Sequence, residues 1–195
     1  LTPGSTENDI NVAWYSNETS GNKSLLRFKK GNEVVASAEG TVTEVKGSYA
    51  NSEAIAAGTM LTGKLSHKAG VTGLEDGTEY TYQVSNDGIH WSKEYTYTTP
   101  EEGNFTFAFV ADPQLKEGQF DQGNSSVSLE DSWKKTVSAI DAQGADFIAS
   151  AGDQIEGKKI NGAYKTNETE YSSFFAPEEL KSIPYAAVVG NHDIN

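Results

Sequence analysis

The sequence predicts two units in tandem: an all-β sandwich over residues 1–100 and an α/β unit on parallel strands over residues 104–195. Three observations carry that expectation. Up to about residue 99, short alternating apolar and polar runs are broken by Gly and Asn every dozen or so positions, the pattern of a sandwich. The stretch from Thr98 to Gly103 (TTPEEG) is polar and carries a proline, which marks a boundary. Beyond it, three apolar runs, Phe107–Gln114, Phe147–Glu156 and Ala186–Asp193, each end abruptly in a carboxylate or an Asn-His pair.

In the first unit, Ile10–Tyr15 alternates as a strand should, Ser16–Lys23 is a polar turn, and Leu25–Lys29 is the next strand. Val34–Val45, Met60–Leu65 and Tyr80–Val84 continue the pattern, and Tyr95–Pro100 closes it. Within Leu74–Val84 a Leu, a turn and then Tyr-x-Tyr-x-Val predict a tyrosine corner, with Tyr80 as the corner residue. On those residues the unit resembles a fibronectin type III-like module. Trp14, Trp91 and Tyr80 are expected to fill the sandwich, and His67 and His90 are expected to be surface or core residues unrelated to metal.

The grammar then changes. Asn104–Ala111 is nearly all apolar, as expected for a strand covered on both faces, and Pro113 stops it. After the polar stretch Lys116–Ser128, Trp133, Val137 and Ile140 stand at i, i+4 and i+7 on one helix face, with Ser128 or Asp131 as cap and Gly144 as terminator. That phase favours a core role for Trp133. Ala145–Ala151 is the second buried strand, and Gly157–Tyr171 is a second polar loop that, like Lys116–Ser128, leaves the strand tips and reads equally well as shaping access to them or as a solvated connection. Glu178–Lys181 is a short helix stopped before Pro184, and Tyr185–Val189 is the third strand.

The spacing ties these strands together. Asp112 and Asp153 are 41 positions apart, and Asp153 and Asn191 are 38 apart. Each interval fits a strand, a loop, a helix and a short return, the βαβ unit. The carboxyl ends of such strands line one edge, where ligands bind. Asp112, Asp153, Asn191 and His192 are therefore predicted to meet there, and oxygen ligands beside an imidazole suit a hard or borderline divalent cation. Each motif alone reads equally well as an ordinary turn. Their order at matched strand ends is what makes the signal strong.

Composition sets the outer bounds. A hydrophobic content of 36% with three Trp, nine Tyr and eight Phe supports a real core. The formal charge of −13 argues against a nucleic-acid or anionic-membrane surface. With no cysteine there are no disulfides, thiolate chemistry or zinc fingers, and no apolar stretch is long enough to span a bilayer. The sequons at Asn17, Asn22, Asn104, Asn124 and Asn167 are what a chain rich in Asn, Ser and Thr produces by chance.

On the three strand-end motifs, residues 104–195 resemble the first half of a calcineurin-like metallophosphoesterase domain, a partial α/β unit of the α+β four-layer sandwich type. With the sandwich before it, the whole resembles a purple acid phosphatase of bacterial type. The resemblance implies two divalent or trivalent metal ions (Fe, Zn, Mn or Mg) and a phosphate-ester substrate. Asp112 would bind the first metal, Asp153 would bridge both, and Asn191 would bind the second. His192 would assist at the phosphoryl oxygen or leaving group, with Asp193 orienting it. Two cations held roughly 3.5–4 Å apart turn a shared water into hydroxide and clamp the phosphoryl oxygens. A neutral Asn fills a coordination position without adding negative charge.

The sequence departs from that pattern in three places. The common Asp-x-His motif has Gln114 in its third position, and the Gly-Asp-x-x-Tyr of the purple enzymes has Glu156 in place of tyrosine. Glu156 can bind metal or hold a ligand but gives no phenolate charge transfer, so a colourless protein is expected. The remaining ligands of the family are later histidines, and His192 is the one histidine of this chain outside the sandwich. The chain is therefore expected to be the N-terminal part of a longer enzyme, short of the C-terminal half of the domain and inactive by itself. The alternative is a non-catalytic cell-surface binding module with a degenerate phosphoesterase-like half, and a nuclease or nucleotide hydrolase would use the same site. An extracytoplasmic bacterial setting is expected from the acidic, cysteine-free composition and the resemblance.

Overall fold

In the computed structural model, residues 1–17, 21–45, 61, 63–116, 119–121, 123–160, 163–165 and 168–193 are described. Met60, Asn167 and parts of the stretches Lys116–Ser128 and Gly157–Tyr171 lie outside the described residues.

Alternation builds the first unit. Strand β2 (Ile10–Asn17) buries Ile10 and Val12 and turns the residue between them outward, because successive side chains of a strand point to opposite faces. It lies between β1 (Thr2–Pro3) and β6 (Lys64–Val71), and β5 (Thr41–Glu44) closes that sheet in the order β1-β2-β6-β5. The facing sheet runs β4 (Glu33–Glu39), β3 (Leu25–Lys30), β7 (Glu79–Ser85), β8 (Tyr95–Thr98). Between the sheets lie Ile10, Val12, Leu26, Phe28, Val71, Leu74, Tyr80, Tyr82 and Tyr97. Phe28, fully buried, stacks on Tyr82 at 5.3 Å and meets Tyr80 and Tyr97 edge-on at 6.2 Å. Each such ring pair adds about 0.5–1.5 kcal/mol beyond its burial.

Tyr80 takes the corner position its context predicts: its hydroxyl accepts the Glu75 backbone N–H at 2.9 Å. Two strand expectations need correction. Val34–Val45 is not one strand but two in different sheets, β4 and β5, parted at Gly40. There the chain crosses the sandwich, and a Cβ on Gly40 would fall 1.9 Å from the Lys68 carbonyl oxygen. The strand expected over Met60–Leu65 instead starts at Lys64 and runs to Val71. Trp91 is an edge residue rather than core, with the Arg27 guanidinium 3.9 Å above its ring.

His67 is a core histidine, as expected. Its ring is wholly buried, stacked on Trp14 at 5.1 Å, with Ser24 Oγ 2.9 Å from Nδ1 and Ser16 Oγ 2.7 Å from Nε2. Ser24 spends its one proton on the Thr41 carbonyl at 2.7 Å, so Nδ1 donates to Ser24 and Nε2 accepts from Ser16. Burial lowers the ring's pKa below its ordinary 6.5. The unfolded chain therefore takes up a proton that the folded ring refuses, and stability falls as pH drops below about 6.5 until the folded ring titrates too. Urea midpoints measured from pH 7.5 to 5 are expected to fall over this range, and His67→Phe should flatten the slope. An unchanged slope would remove His67 as its source.

The second unit is built on parallel strands. β9 (Phe107–Val110), β12 (Phe147–Ser150) and β15 (Tyr185–Ala187) form a sheet in the order β15-β12-β9. Helix α1 (Leu129–Ala142) makes the return between β9 and β12. Ser128 is its cap, accepting the Asp131 N–H at 3.1 Å, and Gly144 follows its end. Trp133 and Val137 are buried against the sheet, with Trp133 stacked on Phe174 at 4.9 Å and donating to its carbonyl at 2.8 Å.

Both polar stretches contain more order than their composition predicts. The hairpin β10 (Phe120–Asp121) and β11 (Asn124–Ser128) lies in the first, and β13 (Lys158–Ile160) with β14 (Ala163–Lys165) in the second. Helix α2 (Glu168–Phe174) follows. A 3-10 helix, Glu178–Lys181, then leads to Pro184 and β15.

The expectation that β9 is covered on both faces is not met. Ala108 and Val110 pack on the cluster of Trp133, Val137, Ile148 and Tyr185, whereas Phe107 and Phe109 are 50% and 68% exposed. No layer of the described residues packs on that side. Phe105, Phe107 and Phe147 cover one another instead, with ring centroids 5.3–6.2 Å apart. The two units touch where Tyr82 donates to the Lys181 carbonyl at 2.7 Å and the Tyr185 N–H donates to Leu1 O at 2.9 Å.

Candidate metal centre

The sheet order puts β12 between its neighbours, so the tip carrying Asp153 is flanked by the tips carrying Asp112 and Asn191. Backbone bonds continue past the strand ends. Asp112 N–H donates to Gly152 O at 3.3 Å, Gln114 N–H to Asp153 O at 3.0 Å, and Leu115 N–H to Gln154 O at 3.2 Å. On the other side the contact is tighter. A Cβ on Gly190 would sit 2.1 Å from Asp153 Oδ1, and a Cβ on Gly152 would sit 2.6 Å from Gly190 N. Gly152 also has φ +98°, so close approach and conformation both require glycine there.

Among the described residues, the non-glycine residues with positive φ are Asp112 (49°), Gln114 (39°) and Asp153 (51°). All three lie at this edge. Such conformations cost on the order of 1–3 kcal/mol each and gather where a site is held against local preference, though Asp tolerates them better than most residues.

Asp153 is 8% exposed, and its Oδ1 accepts the His192 backbone N–H at 2.8 Å. Among the described residues it meets no cation. A buried carboxylate answered by a neutral donor is costly unless positive charge completes it. Asp112 and Asn191 are exposed at its two sides. Two carboxylates and a neutral amide oxygen fit a hard or borderline cation. The set is incomplete, since no three His, Cys, Asp or Glu among the described residues can hold an ion by themselves.

His192 is oriented by Glu156. Its Nδ1 lies 2.6 Å from the Glu156 carbonyl oxygen and 3.7 Å from Glu156 Oε2. A carbonyl only accepts, so Nδ1 carries a hydrogen. Glu156 also lies 3.8 Å from Lys116 Nζ. The expectation that Asp193 orients His192 is corrected here. The Asp193 carboxylate accepts from Gln154, Ile155, Gly190 and Tyr171, and it is turned toward these loop donors by the chain reversal at residues 190–193. Gln114 enters this edge through its backbone.

Three residues at this edge escaped the sequence reading. The Gln154 amide donates to Val188 O at 3.0 Å and to Ser150 Oγ at 3.3 Å. Glu170, 4% exposed, accepts the Gly157 N–H at 2.9 Å. Tyr171 donates to Asp193 Oδ1 at 3.3 Å, and burial followed by the Asp193 charge raises its pKa, which keeps the phenol a donor. Nothing in the local sequence marks any of them.

A family model described as the purple acid phosphatase N-terminal domain matches residues 1–99. Among solved structures the chain is similar to that of purple acid phosphatase PPD1 isolated from yellow lupin (Lupinus luteus) seeds. The two are 18% identical, with a TM-score of 0.66 over 98% of this chain and 34% of the lupin one. It is also similar to the structure of PhoD, at 14% identity and a TM-score of 0.51 over 92% of this chain and 36% of that one. At these identities the likeness is one of fold. The chain thus spans about a third of the length of the solved chains it matches. No curated protein matches the sequence.

Proposed function

The chain belongs to the purple acid phosphatase N-terminal domain family, and on that premise we propose that it supplies the amino-terminal part of a metal-dependent phosphate-ester hydrolase. Residues 1–100 are its sandwich, and residues 104–195 begin a calcineurin-like metallophosphoesterase domain. The observation that carries this reading is the gathering of Asp112, Gln114 and Asp153, all in left-handed backbone, at the edge where Asn191 and His192 also lie. The exposed face of Phe105, Phe107 and Phe109 is where the C-terminal half of that domain packs.

Asp112 and Asp153 would hold the first metal, and Asp153 and Asn191 would hold the second. When bound, the pair supplies positive charge to the phosphoryl oxygens and an activated nucleophile. The chain's own residues set the stage for it. The His192 N–H steadies the Asp153 carboxylate, and Asn191 adds an oxygen without charge. The Glu156 carbonyl fixes the His192 ring so that Nε2 exchanges the proton with substrate or leaving group.

The test is metal analysis and turnover of p-nitrophenyl phosphate by the full-length protein. About two metals per chain are expected, with activity lost to chelation and restored by Zn, Mn or Fe. The iron-loaded protein is expected to be colourless, since Glu156 replaces the tyrosine. Residues 1–195 alone should turn over little. A full-length protein that retains no metal and stays inactive after reconstitution would favour the binding-module reading.

A further inference from the structure

We propose that Asp193 is a positioning residue: one carboxylate that accepts on every side fastens the tips of β12 and β15 and so sets the separation of Asp153 and Asn191, with Tyr171 as its outer anchor. The effect on turnover rests on the hydrolase reading, but the fastening itself does not. Asp193 is 8% exposed. Its Oδ1 accepts the backbone N–H of Gln154 at 2.9 Å, that of Ile155 at 3.4 Å and the Tyr171 hydroxyl at 3.3 Å. Its Oδ2 accepts the Gly190 N–H at 2.9 Å. Gln154 directly follows Asp153, and Gly190 directly precedes Asn191. The two ligand-bearing peptides are thus held to the two oxygens of one carboxyl group.

The chemistry of the group is dictated by its surroundings. Among the described residues four donors and no acceptor face it, so both ends must accept. A carboxylate does this, whereas an amide of the same shape does not. Asn would aim its NH2 either at the Gly190 N–H or at the Gln154, Ile155 and Tyr171 donors, leaving a buried donor unpaired. Helix α2 braces the same junction twice. Tyr171 anchors Asp193 while its neighbour Glu170 holds Gly157, on the chain leaving β12.

The experiment uses the full-length protein with Asp193→Asn and Tyr171→Phe. It reads hydrogen exchange in peptides covering 150–157 and 186–193, together with p-nitrophenyl phosphate kinetics. Asp193→Asn is expected to raise exchange in both peptides by about tenfold or more, while peptides of the sandwich stay unchanged. kcat should fall by about 10–100-fold with little change in KM. Tyr171→Phe should open the same two peptides less. The proposal fails if Asp193→Asn leaves either peptide at the wild-type rate, or opens both with kcat unchanged. If Asp193→Asn does not fold, Tyr171→Phe decides, since it removes one donor and keeps the carboxylate; no opening there overturns the proposal. An inactive wild-type protein would sink the hydrolase reading instead, and the exchange pattern would still decide whether Asp193 fastens the tips.

Discussion

Asp153→Asn in the full-length protein is expected to leave the fold intact while stripping the bound metal and lowering kcat/KM by more than about 10²-fold. That magnitude follows because removing even a group that merely supports a ligand costs 10–100-fold. Asp153 sits on the tip that follows the central strand, between the tips carrying the exposed Asp112 and Asn191. Its carboxylate is buried and takes the His192 N–H at 2.8 Å. The Asn amide oxygen can still accept that N–H, so the tip keeps its shape and only the charge goes. Metal content by mass spectrometry, thermal unfolding and p-nitrophenyl phosphate kinetics separate the outcomes. Retained metal would remove Asp153 from the site, and a large drop in thermal midpoint would mean that the carboxylate serves the fold.

Gly190→Ala is the second large effect, and its origin is steric. The new Cβ would lie 2.1 Å from Asp153 Oδ1, 2.6 Å from Asp153 Cγ and 2.4 Å from Asp153 N. The carboxylate could swing away, but the backbone nitrogen cannot, so β15 must withdraw from β12. That withdrawal strains the Gly190–Asp193 turn and separates Asn191 from Asp153. A shift of about 1 Å in a reacting constellation costs roughly 10²-fold in rate, and overpacking of this kind costs about 1–3 kcal/mol of stability. Kinetics and urea midpoints on the variant check both. Wild-type values in both would mean that the tips are not held at this separation in solution.

Where local chemistry dictates structure, the sequence was a sufficient guide. The cap at Ser128, the helical phase of Trp133 and Val137 and the corner role of Tyr80 all follow from side chains acting within a few residues of themselves. The tips of β9, β12 and β15 were legible because an apolar run stopped by Pro113, Gly152 or Gly190 has to end there. The hairpin β13–β14 was missed although the Asn161-Gly162 dipeptide is a standard hairpin signal. Its strands are too short and too polar to show period two.

What the sequence settled by itself is the order of strand types and the set of oxygen donors at three chain reversals, because side-chain alternation and turn chemistry are local properties. Tertiary structure alone decided that the chain changes sheets at Gly40, that Glu156 rather than Asp193 lies against the His192 ring, and that the Asp193 carboxylate joins two tips. Glu156 and His192 stand 36 residues apart, and Gln154 and Asp193 stand 39 apart. Which acceptor reaches which donor across such a span depends on how the tips pack, and no short window of sequence contains that information.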